Sequence, residues 1–176
     1  MLTMSATTAC IRGSLFDFEE PLSIPGSAEA EVDGRSLPGQ SAADLVAEVQ
    51  AVVDAVPAAL TPLADTVALL ARLRRAGRPL YFLSNMPAPY AEHLERTHGF
   101  LRCFESGVVS ARVRQIKPEP GIYDTAARWF GAAPADLLFI DDVADNVHAA
   151  RAAGWQALQF IDAADCEAQL RARGHL

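Results

Sequence analysis

From Ser41 onward the chain settles into a regular exchange of amphipathic stretches and short apolar runs. "SAADLVAEVQAVVDAV" places Leu45, Val49, Val52, Val53 and Val56 on one face of a helix, with Pro57 as its expected stop. "PLADTVALLARLRRAG" predicts a second helix with Val67, Leu70 and Leu73 as its buried stripe. Arginines crowd its last turn and Gly77 ends it. "PLYFLSN" is too short and too apolar for a surface helix and predicts a buried strand. The alternation then continues: helix in "PAPYAEHLERTHG", strand in "GVVSA", helix in "PEPGIYDTAARWFG" with Pro118 near its first turn, and strand in "DLLFID". A helix in "VADNVHAARAAG", a strand in "WQALQF" and a helix in "DAADCEAQLRARG" complete it. Continuous apolar strands alternating with helices predict an α/β fold whose parallel sheet is covered by helices on both faces.

Residues 1–40 have a different texture. Four glycines and three prolines interrupt every apolar run there, and no helical period is sustained. Within them "SLFDFEEPLS" gathers Asp17, Glu19 and Glu20 directly after a short apolar run. These acids form either a solvated turn or one wall of a site completed from far along the chain.

Composition narrows the choice of chemistry. A length of 176 residues suits one domain with a small appendage, and an apolar fraction of 51% supports a substantial core. The net charge of −7 disfavours non-specific binding to nucleic acid or anionic membrane. Cys10, Cys103 and Cys166 are far apart and lack CxxC spacing, which argues for a reducing compartment and against a thiolate metal site. No apolar run reaches the length of a membrane span and no secretory h-region stands near residue 1, so a cytoplasmic location is expected.

In parallel sheets ligands bind beyond the carboxyl ends of the strands, and the polar interruptions fall there. "LYFL" ends in Ser84-Asn85, "LLFI" ends in Asp141-Asp142, and Lys117 stands just ahead of a helix. If "LF" closes a strand, Asp17 takes the equivalent place. Two adjacent carboxylates after a buried strand need compensation. A divalent cation such as Mg²⁺ would supply it, with one of the pair as direct ligand, or Asp142 could cap the next helix. Ser84 is either a helix cap or a hydroxyl that holds a phosphate oxygen beside helix-start N–H groups. Lys117 is either a surface lysine or the neutraliser of a phosphoryl group. His93 and His98 have the wrong interval for one helical face, and His148 reads as structural or exposed. Ser84 has no nucleophile-elbow glycines.

The series "LYFLSN", "KPEPGIY" and "LLFIDDVADNVHAARAAGW" resembles the haloacid dehalogenase-like (HAD) hydrolase superfamily, nearest its phosphatase-like members with a DDxxxN fourth motif. The likeness covers roughly residues 60–173. It implies a Rossmann-like core, residues 1–17 and 58–176, with a reduced α-helical cap or irregular insertion over 18–57. On this resemblance Ser84, with Asn85 beside it, holds the phosphate, Lys117 is the third motif, and Asp141, Asp142 and Asn146 form the fourth, with Asp142 the best match to the usual Mg²⁺ ligand. The first motif, D-x-D-G-[TV] or D-x-G-G-V at the end of strand one, falls on Asp17-Phe18-Glu19-Glu20-Pro21. Asp17 would then be the nucleophile that becomes an aspartyl-phosphate, and Glu19 would supply a carbonyl to the metal and a carboxyl for proton transfer. Glu20 replaces a glycine, and only 66 residues separate Asp17 from Ser84, so much of the usual cap is missing.

The expected activity is Mg²⁺-dependent hydrolysis of a small phosphorylated metabolite. A catalytically impaired binding protein and a haloacid dehalogenase-type hydrolase are the alternatives. The Asp141-Asp142 pair argues against the dehalogenase, whose chemistry needs no Mg²⁺. A phosphorylation receiver domain would carry its acidic pair first and its lysine last, the reverse of the order here.

Overall fold

The computed structural model describes residues 8–11, 16–18 and 41–176. The chain divides into two compact units, Met1–Phe16 with Pro62–Leu176, and Asp17–Thr61.

The larger unit holds a five-stranded sheet. Its strands are β1 (Thr8–Ile11), β4 (Leu80–Ser84), β5 (Ser106–Val109), β6 (Leu137–Asp141) and β7 (Gln156–Gln159), ordered β5-β4-β1-β6-β7. Every neighbouring pair is parallel. Parallel strands need crossovers, and the helices supply them: α2 (Ala64–Arg75), α3 (Ala88–Thr97), the single turn α4 (Ser110–Val113), α5 (Pro120–Phe130), α6 (Ala144–Ala152) and α7 (Ala163–Ala172).

Strand β6 explains why its sequence is apolar almost throughout. All five residues are buried, and side chains two apart share a face. Leu138 and Ile140 pack with Leu69, Leu70 and Leu73 of α2 and with Cys166 and Leu170 of α7. Leu137 and Phe139 pack with Ile122, Tyr123 and Phe130 of α5 and Val147 of α6. On that second face the rings of Tyr123, Phe139 and Trp155 meet edge to face at centroid distances of 5.7–6.1 Å. Both faces are therefore dry, as the parallel-sheet reading requires.

The helices fall where the period of the sequence places them, with differences at their ends. Helix α2 buries Leu70 and Leu73 as expected, together with Thr66 and Leu69, while Val67 is only half-buried. Pro120, not Pro118, opens α5, at the first-turn position where a missing N–H costs nothing. The "VVSA" segment leaves the sheet at Val109, and Ser110 already belongs to α4.

The smaller unit contains α1 (Ala42–Ala59), opened by a capping box between Ser41 and Asp44. Pro57 does not stop this helix; it lies in the last turn, and the helix runs two residues further. β2 (Phe16–Phe18) pairs with β3 (Leu60–Pro62) in a separate two-stranded sheet.

The first strand of the main sheet differs from the expectation that "LF" closes it and sets Asp17 at a central strand end. Phe16-Asp17-Phe18 is a strand, but of the two-stranded sheet. The central position between β4 and β6 is filled by Thr8–Ile11.

Candidate functional site

The site is built at the carboxyl ends of β4 and β6. Asp141 is the last residue of β6 and shares the face of Phe139. Its carboxylate is completely buried and takes three donors. Lys117 Nζ lies 2.5 Å from Oδ2, while the Val143 backbone N–H and Asn146 Nδ2 each donate to Oδ1 at 3.0 Å. Lys117 is itself buried, with Nζ 5.2 Å from the centre of the Phe139 ring. The Tyr123 hydroxyl donates to the Asn146 carbonyl at 2.9 Å and so fixes the start of α6. A buried ion pair of this kind is tolerated only where further hydrogen bonds satisfy the remaining lone pairs, and these do.

Lys117 is held from behind by Asn85. Its side-chain Nδ2 donates to the Lys117 carbonyl and its Oδ1 accepts the Lys117 N–H, both at 2.8 Å. The family pattern puts Asn85 among the substrate-binding groups; here its amide holds the backbone that carries the lysine. Ser110 secures the adjoining turn, its Oγ accepting the Met86 N–H at 2.9 Å. The sequence reading did not single out Ser110 or Tyr123. Ser110 carries the same signal as Ser84, a polar residue at the end of an apolar strand.

Ser84 does not cap α3. That helix begins after Pro87 and has no side-chain cap. Ser84 is 7% exposed, and its buried Oγ has no hydrogen-bond partner among the described residues. An unpaired buried hydroxyl costs about 1–3 kcal/mol, so this group is set to meet an acceptor or donor from elsewhere.

Asp142 and Asp141 divide their tasks. Asp142 does not cap α6, whose N-cap is Val143 without a side-chain bond. Its side chain is exposed, while its carbonyl accepts from Gln159 Nε2 at 3.2 Å. Asp141 organises the turn instead, accepting the N–H two residues on. His148 is exposed, as expected. Asp17 lies in β2, with its side chain outside the described residues, and Glu19 lies outside them altogether.

A model of the haloacid dehalogenase-like hydrolase family matches residues 15–154. The chain belongs to that family. Among curated relatives, the sesquiterpene phosphatase astK of Aspergillus oryzae is 31% identical over 103 residues, covering 58% of this chain and 53% of its own length. The phosphoglycolate phosphatase of Escherichia coli K12 is 32% identical over 91 residues, covering 52% of this chain and 35% of its own. The chain therefore spans from about a third to about half of the relatives it matches. Among solved structures, a HAD phosphatase from Thermococcus onnurineus superposes with a TM-score of 0.56 at 25% identity, covering 64% of this chain and 53% of that one. Rossmann-like α/β architecture and membership of a hydrolase family with phosphatase relatives are thus established. No described helix is long and apolar enough to cross a membrane.

The family resemblance implies Mg²⁺, and the donor set can be compared with that ion's needs. Mg²⁺ seeks octahedral oxygen ligands, with carboxylates as its protein anchors. Asp141, expected with Asp142 as a ligand, is buried and committed to three protein donors. Strand β1, next to β6, reads Thr-Ala-Cys-Ile and carries no acid. Asp142 is left as a single exposed carboxylate, and among the described residues no group of three or more His, Cys, Asp or Glu could hold a metal. Asp17 and Glu19, the other expected ligands, have no described side chains, so Asp142 is the expected carboxylate ligand that the described residues leave available.

Proposed function

We propose that this HAD-family chain recognises the phosphoryl group of a small phosphorylated metabolite beyond the carboxyl ends of β4 and β6. The observation that carries the reading is the buried Ser84 Oγ, without a partner among the described residues, one residue from the Asn85 amide that holds Lys117. A phosphate oxygen accepts from a hydroxyl and is drawn to an ammonium, so this pair of groups suits a dianion better than a neutral ligand. Asp141 holds the Lys117 ammonium in place, and Asn85 fixes the backbone that carries it. The curated relatives named as phosphatases support the same class of ligand.

Hydrolysis of a phosphate monoester is the outcome the family suggests. On that reading Asp17 attacks phosphorus, the alcohol leaves, and Glu19 handles its proton. Water then releases phosphate from Asp17. Binding without turnover is the second reading, and a specific observation favours it. β1, which neighbours β6 in the sheet, has no carboxylate over Thr8–Ile11.

The test is para-nitrophenyl phosphate hydrolysis, with and without Mg²⁺, by the wild type and by Asp17→Asn, together with calorimetric titration of inorganic phosphate. Phosphate binding that Ser84→Ala weakens by about tenfold or more supports phosphoryl recognition. A folded wild type that binds no phosphate under either condition sinks it.

A further inference from the structure

We infer that Ser110 is a positioning residue for phosphoryl recognition: acting through Met86, it fixes the turn that presents the Ser84 hydroxyl. The inference rests on the phosphoryl-recognition reading above and adds to that site a residue that acts without touching the ligand.

Sheet register brings Ser110 to this turn. β4 and β5 run parallel with Ser84 opposite Val109, so the next residues, Asn85 and Ser110, leave the sheet side by side. Ser110 is buried and opens α4. Its Oγ meets both polar groups of Met86, accepting the N–H at 2.9 Å and donating to the carbonyl at 3.4 Å. A hydroxyl can donate and accept at once, so one side chain holds the peptide groups on either side of the Met86 Cα.

The two residues that follow Ser84 are thus each clasped twice. Asn85 pairs its amide with the N–H and carbonyl of Lys117, both at 2.8 Å, and Met86 is clasped by Ser110. Asn85 ties the turn to the lysine, and Ser110 ties it to the end of β5. Losing the second clasp releases the peptide groups of Met86, two residues from Ser84. Helix α3 offers no side-chain cap to replace it. Placement matters because a hydroxyl bonds a phosphate oxygen well only over a narrow range of distance and angle.

The Ser110 carbonyl has a separate task. It accepts the Arg114 N–H and, at 3.3 Å, the Gln115 N–H, closing the turn that leads toward Lys117. A side-chain substitution at position 110 leaves that carbonyl in place, and Lys117 keeps Asn85 and Asp141. Removing the hydroxyl therefore acts on the Ser84 side of the site and spares the Lys117 side.

The experiment is isothermal titration of the full chain with inorganic phosphate, with and without Mg²⁺, alongside thermal melts of the same samples. The variants are Ser110→Ala, Ser110→Cys, Ser110→Thr, Ser84→Ala and the double Ser84→Ala/Ser110→Ala. Leu170→Val, which trims the core packed by α7, is the control for general destabilisation. Expected is phosphate binding weakened about three- to tenfold in Ser110→Ala and in Ser110→Cys, whose thiol is a poor acceptor. Ser110→Thr, which keeps the hydroxyl, and the Leu170→Val control should stay within about twofold of the wild type. Once Ser84 is already alanine, adding Ser110→Ala should cost less than about twofold, because the turn no longer carries a hydroxyl to place. A folded Ser110→Ala that melts lower but binds phosphate like the wild type overturns the inference and leaves Ser110 a structural residue; if Ser110→Ala does not fold, Ser110→Cys decides in the same way. Losses that simply multiply in the double variant, or an equal loss in Leu170→Val, also overturn it. In each of these cases phosphoryl recognition stands. A wild type that binds no phosphate, or a Ser84→Ala variant that binds it unchanged, overturns the recognition reading itself.

Discussion

Replacing Lys117 by methionine is the most informative single perturbation of the site. The substitution keeps the length and the apolar stem of the side chain but removes the charge that faces Asp141 at 2.5 Å. Both partners are sealed from water, with side-chain exposures of 0% and 1%. The carboxylate would keep its two donors on Oδ1, from Val143 and Asn146, and would lose the ammonium at Oδ2. Stripping one partner from a buried pair costs about 3–5 kcal/mol, far above the value of a surface bridge. For a chain of this size each kcal/mol moves the melting temperature by about 2–4 °C, so a drop of about 6–20 °C is expected. The double variant Lys117→Met/Asp141→Leu should recover only part of this. Removing the stranded charge helps, but the Val143 N–H and Asn146 amide then lose their acceptor at about 1–3 kcal/mol each. The assay is urea unfolding followed by circular dichroism, with constant m-values as the check that two states are compared. A Lys117→Met variant destabilised by less than about 1 kcal/mol would show that water reaches the pair in solution, and the argument from burial would fall.

Three further outcomes follow from the same structure. A Cβ on Gly107 would overlap the Phe82 ring, so Gly107→Ala should destabilise by about 1–3 kcal/mol in chemical denaturation, and Phe82→Leu in the same chain should restore part of the loss. His175 is buried, and its pKa is lowered by burial first and then by Arg78 and Arg173. Its folded pKa lies below its unfolded one, so its contribution to stability is full at pH above about 6.5 and is lost as the pH falls toward the folded value. Thermal melts of the wild type between pH 7.5 and 5.5 should fall more steeply than those of His175→Asn. Burial pushes the Cys166 thiol up to about 11, helped by Asp165, Asp162 and Glu167. Site-resolved alkylation of the native protein at pH 8 should therefore leave Cys166 unmodified, while unfolded protein reacts; rapid native labelling would contradict its place in the core.

Much of this fold is legible in the sequence, because burial on both faces leaves a plain trace. "LLFID" reads as a strand and its terminal aspartate as a site residue, since an unbroken apolar run of that length suits a strand covered on both sides and an acid at its end suits the sheet edge. Ser84 and Lys117 stand out by the same rule. What each polar group does was not legible, because that depends on partners far away in the chain. Asn85 turns inward to Lys117, 32 residues on, and Asp141 receives Lys117 from 24 residues back. Asp141 and Asp142 look alike as letters; the two-residue period of the strand sends one into the core and the other to solvent.

The N-terminal region marks the limit more sharply. "SLFDFEEPLS" carries the residue types a phosphoryl-transfer motif requires, and local composition favours it. The tertiary structure gives the central place in the sheet to Thr8–Ile11 and sets Asp17 in the two-stranded sheet. Sequence by itself determined the alternation of elements, the parallel sheet and the strand ends where chemistry collects, because hydrophobic period is a local property. Only the tertiary structure decided which strand lies beside Asp141 and which charges cancel, because strand order and ion pairing are contacts between distant residues.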